Sequence, residues 1–420
     1  MKKTYFAIAI FFAAAFLHFD AKAQNEELKY RRSSLYSIMV SHPDQKMDEE
    51  IIEAFMALET PEKYNNHDLS IKCISTYSKK AEVKDEIDLF LKQNQVAKRL
   101  VSKWFNRNKQ TGGFDPALVM ERGLYDVSAI DIEAAAQSKR GIDALADRGY
   151  ELIENTYVIV NDITYVDHEK NAEVATGILS IIGAAATIIT GDENNIVTSA
   201  ATLGAIVSSL IAGFTVNIHT HLYQLEWNDR IADRLYTMYY YDKPATDSAS
   251  LAAFEADENL RNMKAAYEAD DSTFVLKYVG SYKEKSAKPV LRGLYSPEDV
   301  FRKVCARAVD KNISALQKKF DQFKVKVPLT GIEPLSAQIG MKEGVSPKSK
   351  YEVLMPEIDA ESGKVKYIRK GVIQPIPGKI WDNRYMATEE RAEGANLKGT
   401  EFKVLSGSNF TQGMLIREMK

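Results

Sequence analysis

Asn155–Val166 (NTYVIVNDITYV) and Phe214–Trp227 (FTVNIHTHLYQLEW) are the two stretches whose reading decides the fold. Both are dominated by β-branched and aromatic residues, so both are expected to be strands. Between them, Val174–Thr190 (VATGILSIIGAAATIIT) and Ile196–Phe214 (IVTSAATLGAIVSSLIAGF) contain no charged residue, and the polar run Gly191-Asp192-Glu193-Asn194-Asn195 separates them. Each uncharged stretch lies near the lower edge of the roughly 17–25 residues that cross a bilayer as a helix. The expectation is an apolar helical hairpin, residues 174–214, inserted between two strands that can pair without it. Ala200, Gly204, Ser208 and Ala212 recur at every fourth position, and Gly177, Gly183 and Gly213 are further small residues in the same segment. Small residues at that spacing let helix backbones approach closely, in a membrane or in an oligomer. These seven residues are the candidate membrane or oligomer contacts. A hairpin buried in the protein's own core would have the same composition, and that alternative stays open.

Outward from this segment, helical and extended patterns alternate. Ser34–Ser41 (SLYSIMVS) reads as a strand, and Met47–Leu58 as a helix with Ile51, Ile52, Phe55 and Met56 at helical spacing, stopped by Pro61. From Asp85 to Phe105, apolar residues at three- and four-residue steps predict one long amphipathic helix with a buried stripe. Asp115-Pro116 is a helix start, Ser128 with Asp131 another, and Gly149 closes that region. Asn228-Asp229 offers a turn after the second strand. Ser296-Pro297-Glu298 opens a helix whose period runs from Val300 to Phe320, with a boundary at Lys324–Pro328. Beyond it, Lys350–Met355, Lys364–Ile373, Phe402–Leu405 and Met414–Glu418 read as short strands between turns, the pattern of a small barrel. The fold class is therefore α+β: a central α/β sandwich-like domain with an inserted apolar helical hairpin, and a small C-terminal β-barrel-like domain. The expected organisation is a signal peptide over 1–23, the α/β domain over 24–324 and the β domain over 325–420.

The signal-peptide reading rests on Met1–Ala23, in which two lysines precede an apolar run from Tyr5 to Leu17 and Ala21-Lys22-Ala23 forms an A-x-A cleavage site. That run of about 13 residues is short for a span. The expected location is the periplasm or outer membrane. The 420-residue chain carries a net charge of −3, with 45% hydrophobic and 27% charged residues. Residues 1–23 contribute Lys2, Lys3 and Lys22 against Asp20, leaving −5 on the remainder. No basic excess points to nucleic acid. Cys73 and Cys305 are the only cysteines; export permits a bridge between them, and the spacing leaves its formation open.

No phosphate-binding loop, dinucleotide fingerprint, zinc-protease motif, nucleophile elbow or calcium loop occurs in the chain. His219 and His221 share one face of a strand, with His168 near the neighbouring strand's end, but no accompanying carboxylate or cysteine spacing makes them a metal set. Their simplest reading is a solvent-facing pair. Asp162 and Asp167 fall on opposite faces of their strand and form no carboxylate dyad. Tyr239-Tyr240-Tyr241 with Trp227 is either a binding surface or core, and Asp257, Glu258, Glu268, Asp270 and Asp271 read as a solvated helix face. No catalytic, cofactor or metal residue is assigned, and the expectation is a protein that is not an enzyme.

Leu118, Val119, Glu121, Arg122, Leu124 and Asp126, followed by Tyr157, Val158, Ile163 and Tyr165, resemble the helix and strand motifs of the CsgG family of curli-secretion and related envelope proteins. Phe214–Trp227 with Asn228-Asp229 looks like that family's return strand and the turn ahead of its next strand. Ile339-Gly340-Met341-Lys342-Glu343-Gly344 with Tyr351-Glu352-Val353 and Gly371-Val372-Ile373 is similar to a strand pattern in the small barrel of the flagellar assembly protein T family. The chain lacks the lipobox cysteine of curli channels, and its insert reads as helices rather than a channel's β-hairpin, so channel activity is not carried over. What the resemblance implies is a periplasmic scaffold that assembles into rings or attaches to envelope machinery. The expected partners are further copies of the chain, a membrane contacted through 174–214 and other envelope proteins. The alternative is a soluble periplasmic module that binds a peptide or glycan.

Overall fold

A computed structural model describes residues 33–45, 48–61, 63–75, 83–119, 152–167, 214–242, 244, 247–287, 297–324, 326–358, 365–389 and 392–419. It is a mixed α/β structure with two sheets and, among the described residues, nine helices. In chain order the first sheet contains β1 (Ser33–Ser41), β2 (Tyr64–Asn66), β3 (Cys73–Ser75), β4 (Thr156–Asp167), β5 (Phe214–Leu225) and β6 (Leu276–Ala287). Their order is β2-β1-β4-β5-β6, with β3 also on β1. β1 runs parallel to β2, β3 and β4, whereas β4, β5 and β6 form an antiparallel meander.

Alternation along the strands splits the apolar side chains between two faces. Tyr36, Ile38, Val40, Val158, Val160, Tyr223 and Leu225 face one core, which is completed by α2 (Val83–Gln93), α3 (Val96–Trp104), α4 (Asp229–Met238) and α6 (Glu258–Ala269). Leu35, Met39, Tyr157, Ile159, Ile163, Ile218 and Leu222 face the other, against α1 (Asp48–Met56) and α7 (Pro297–Lys319). Helix α5 (Ser248–Ala256) lies before α6. A sheet buried on both faces accounts for the near-continuous apolar runs that marked β1 and β4 in the sequence.

A buried polar chain crosses from the sheet into α7. Thr220 Oγ1 donates to Asn161 Oδ1 at 2.8 Å, and Asn312 Nδ2 donates to Thr220 Oγ1 at 2.8 Å and to the Ile218 carbonyl at 3.1 Å. All three residues are fully buried, so these bonds fix how α7 sits on the strands.

The second sheet is a closed barrel in the order β10-β11-β8-β7-β12-β9. Its strands are β7 (Val327–Ile332), β8 (Leu335–Ala337), β9 (Tyr351–Ile358), β10 (Val365–Pro375), β11 (Thr400–Gly407) and β12 (Leu415–Glu418). Leu329, Ala337, Val353, Ile373, Phe402 and Ile416 fill it. Closure leaves no strand edge exposed.

Three expectations differ. Asp85–Phe105 is two helices, because Gln95 takes a left-handed conformation (φ 47°) between α2 and α3. Continued helical phase from Ile87 and Leu91 would bring Asn94 and Gln95 to the core, whereas the apolar row resumes at Val96 and Ala97; one left-handed residue resets the phase. After Asn228 comes a helix, not a strand: Asn228 Oδ1 accepts the Ile231 amide at 3.1 Å and caps α4. Met341–Glu343 is a short 3-10 turn rather than part of a barrel strand. Its sequence holds no alternation, and Glu343 Oε2 instead accepts the Gly340 amide at 2.8 Å.

Candidate functional site

The site begins where β4 and β5 end. The two strands pair in continuous register from Tyr157↔Gln224 to Asp167↔Phe214, and β6 follows β5 as far as Thr215↔Ala287. The whole of 168–213 therefore leaves and re-enters the sheet at one point. Gly177, Gly183, Ala200, Gly204, Ser208, Ala212 and Gly213, and the hairpin they belong to, lie outside the described residues. Among the described residues no helix is long and apolar enough to cross a membrane.

Toward that end of the sheet lies a cluster of charged and titratable groups on the α2 side. Parallel pairing of Val40 with Asp162 carries His42, two residues past Val40, to the Asp162 side chain, and His42 Nε2 lies 2.6 Å from Asp162 Oδ1. Asp48, in the first turn of α1, accepts the His42 amide at 2.7 Å and the Ser41 hydroxyl at 2.6 Å, so the loop between strand and helix is tied at both ends. The Asp162 hydrogen bond raises the His42 pKa above its ordinary value against the opposing effect of burial.

On β5, Asp162 pairs with His219, and the His219 and His221 rings stand 4.0 Å apart. Neither is the solvent-facing histidine expected. His221 is 2% exposed, and neither ring nitrogen has a hydrogen-bond partner. Burial, then the His219 and Lys84 charges, push its pKa down to about 4; Asp162 and Asp88 oppose them. His219 is lowered too, by burial and by Lys283 on β6. The arrangement favours the protonated form of His42 and disfavours it on the two β5 rings. Among the described residues no group of three or more histidine, cysteine, aspartate or glutamate side chains is placed to hold a metal; His168 lies outside them.

His42 carried no sequence signal, since its partner is 120 residues away and only the parallel β1–β4 pairing unites them. The tyrosine cluster resolves as core at the end of α4: Tyr239 and Tyr241 are buried, and Tyr239 Oη donates to Asp270 Oδ2 at 3.0 Å. In the acidic run, Asp257 caps α6 through the Leu260 amide. Burial would raise the Asp270 pKa, but hydrogen bonds from Thr273, Ser272 and Tyr239 hold it down at about 2. Both cysteines are free, and burial pushes the Cys305 thiol up to about 12.

Two cavities of ligand size accompany these features. One, of ≈380 Å³, lies where α2 meets α3, between Tyr223, Tyr278 and Asp271. The other, of ≈340 Å³, lies between β1, α1, α7 and the barrel. No protein-family model matches this chain, and no curated protein matches it.

Proposed function

We propose that the protein is an exported, non-enzymatic envelope component that assembles through, or inserts into a membrane by, the uncharged segment between β4 and β5. The reading includes the CsgG-like resemblance of the central strands and places the protein in the periplasm or at the outer membrane. The observation that supports it is the unbroken β4–β5 register up to Asp167↔Phe214. A scaffold that pairs around the segment does not need it to close the sheet. Two uncharged stretches then require a partner surface, since burying apolar area yields about 25 cal/mol per Å².

The register also defines the test. Residues 168–213 are replaced by a two-residue Asn-Gly turn, which joins strands so paired, and the chain from Gln24 to Lys420 is compared with and without the replacement. Light scattering gives the mass in solution, and flotation with liposomes gives membrane contact. Oligomerisation or flotation of the unaltered chain alone, with the far-ultraviolet spectrum of the shortened form preserved, is the expected result. Monomeric, non-floating behaviour of both forms overturns the proposal, and unfolding of the shortened form returns the segment to the core. Gly204→Leu is expected to weaken assembly while leaving the sheet intact.

A further inference from the structure

The ≈340 Å³ cavity is independent of the reading above. Its apolar wall is Leu35, Phe55, Ile159, Val309 and Ile313, contributed by β1, α1, β4 and α7. Of the three carboxylates that line it, Asp310 and Asp68 each keep an acceptor that no donor occupies. Asp310, on α7, is 13% exposed, and Lys342 Nζ stands 3.8 Å from its Oδ1, beyond hydrogen-bond reach. Asp68, in the segment between β2 and β3, uses Oδ2 on Lys72 at 2.9 Å, while its Oδ1 is enclosed with no hydrogen-bond partner. A buried acceptor without a donor is costly and a charged one more so, which leaves Asp310 with unused capacity for a donor that enters the cavity and Asp68 with the same capacity once its enclosing neighbours give way.

We propose that this cavity binds a small organic ammonium: a cationic amine on an apolar body, with the amine against Asp310 and Asp68 and the body on the Phe55–Ile159 wall. Three carboxylates, Glu59, Asp68 and Asp310, line the space against two cations, Lys72 and Lys342. Lys72 is committed to Asp68, and Lys342, 26% exposed, is free to turn toward water when an amine takes its place. A neutral or anionic ligand of the same shape would leave the carboxylates unsatisfied.

Protonation of Asp310 provides a second handle. Burial raises its pKa to about 6, Glu343 pushes the same way, and Lys342, Lys63 and Arg307 oppose. With Glu59, Asp68 and Lys72 these are the charged groups around the site. Amine binding needs the ionised form, which falls to roughly a tenth of the population at pH 5.

The test is calorimetric titration of the full chain with 2-phenylethylammonium and its neutral counterpart 2-phenylethanol, at pH 7.5 and pH 5. The ammonium is expected to bind at least tenfold more tightly than the alcohol at pH 7.5 and to lose roughly tenfold at pH 5, with the alcohol unchanged. Asp310→Asn is expected to abolish the preference and its pH dependence. Should that variant fail to fold, Ala306→Leu, which narrows the cavity from α7 without touching a charge, is expected to weaken both ligands. Equal binding of amine and alcohol, no binding of either at millimolar concentration, or full amine binding by either folded variant overturns the proposal.

Discussion

His221 stands in the sheet with neither ring nitrogen bonded, which makes it a residue whose charge the fold refuses. Its pKa falls from 6.5 to about 4 on folding. Between those values the unfolded chain binds a proton that the folded chain does not, so stability drops as the pH falls through that window. The full shift corresponds to about 3 kcal/mol. His42 has the opposite sign: its raised pKa gives stability that is complete below pH 6.5 and is lost as the pH rises through the raised value. Urea unfolding at pH 7 and pH 4.5 is expected to show His221→Phe losing about 2–3 kcal/mol less than the unaltered chain over that interval. An unchanged difference between the two pH values would mean that the ring is solvated in solution. The sequence showed two histidines on one strand face; that the face is covered by α2 depends on a helix some 130 positions away in the chain.

At the scale of elements, the break between α2 and α3 shows how a sequence pattern can be right about burial and wrong about continuity. Of the stripe Ile87, Phe90, Leu91, Ala97, Leu100, Val101, Trp104 and Phe105 that the spacing predicted, all are buried except Phe90, which is partly buried. The five-residue step from Leu91 to Val96 is where the phase shifts, and Gln95 absorbs it. A non-glycine residue held left-handed costs about 1–2 kcal/mol. Gln95→Gly is therefore expected to stabilise the protein by roughly 0.5–1 kcal/mol after its greater freedom in the unfolded chain is counted, read as a rise in Tm. A fall would mean that the Gln95 side chain contributes packing that outweighs the strain. Strand β6 was invisible for a different reason. Leu276–Ala287 contains Lys277, Lys283 and Lys285, and it lies at the end of the sheet order, where only one neighbour is required and apolar alternation is weak.

At the scale of the molecule, α7 is shared between sheet and barrel. Cys305, Ala308, Ile313 and Leu316 pack on the sheet, while Ser314 Oγ donates to the Glu343 carbonyl at 3.0 Å and Lys318 Nζ to the Gly344 carbonyl at 2.9 Å. Arg307 Nη2 reaches the Tyr385 carbonyl at 2.8 Å, and Lys63, beside β2, lies 3.6 Å from Glu343 Oε1. Burial lowers the Lys63 pKa, and Glu343 and Asp310 counter it. Separating the two parts would leave those charges exposed and the shared helix half-covered. Scanning calorimetry of the full chain is expected to give one cooperative transition; two resolved transitions would show that the barrel melts by itself.

Composition and periodicity alone marked the strands β1, β4 and β5, the helix α7 and the barrel strands β9 to β12, because each carries its own apolar pattern or turn chemistry within a few residues. They also isolated the uncharged run between β4 and β5, since absence of charge is a property of the chain itself. Tertiary structure decided what proximity decides. It brought His42 to Asp162 through parallel pairing, joined Asn161, Thr220 and Asn312 into one buried chain, and set Asp68 and Asp310 around a shared cavity. Those relations depend on segments tens to hundreds of residues apart, and no local spacing encodes where such segments meet.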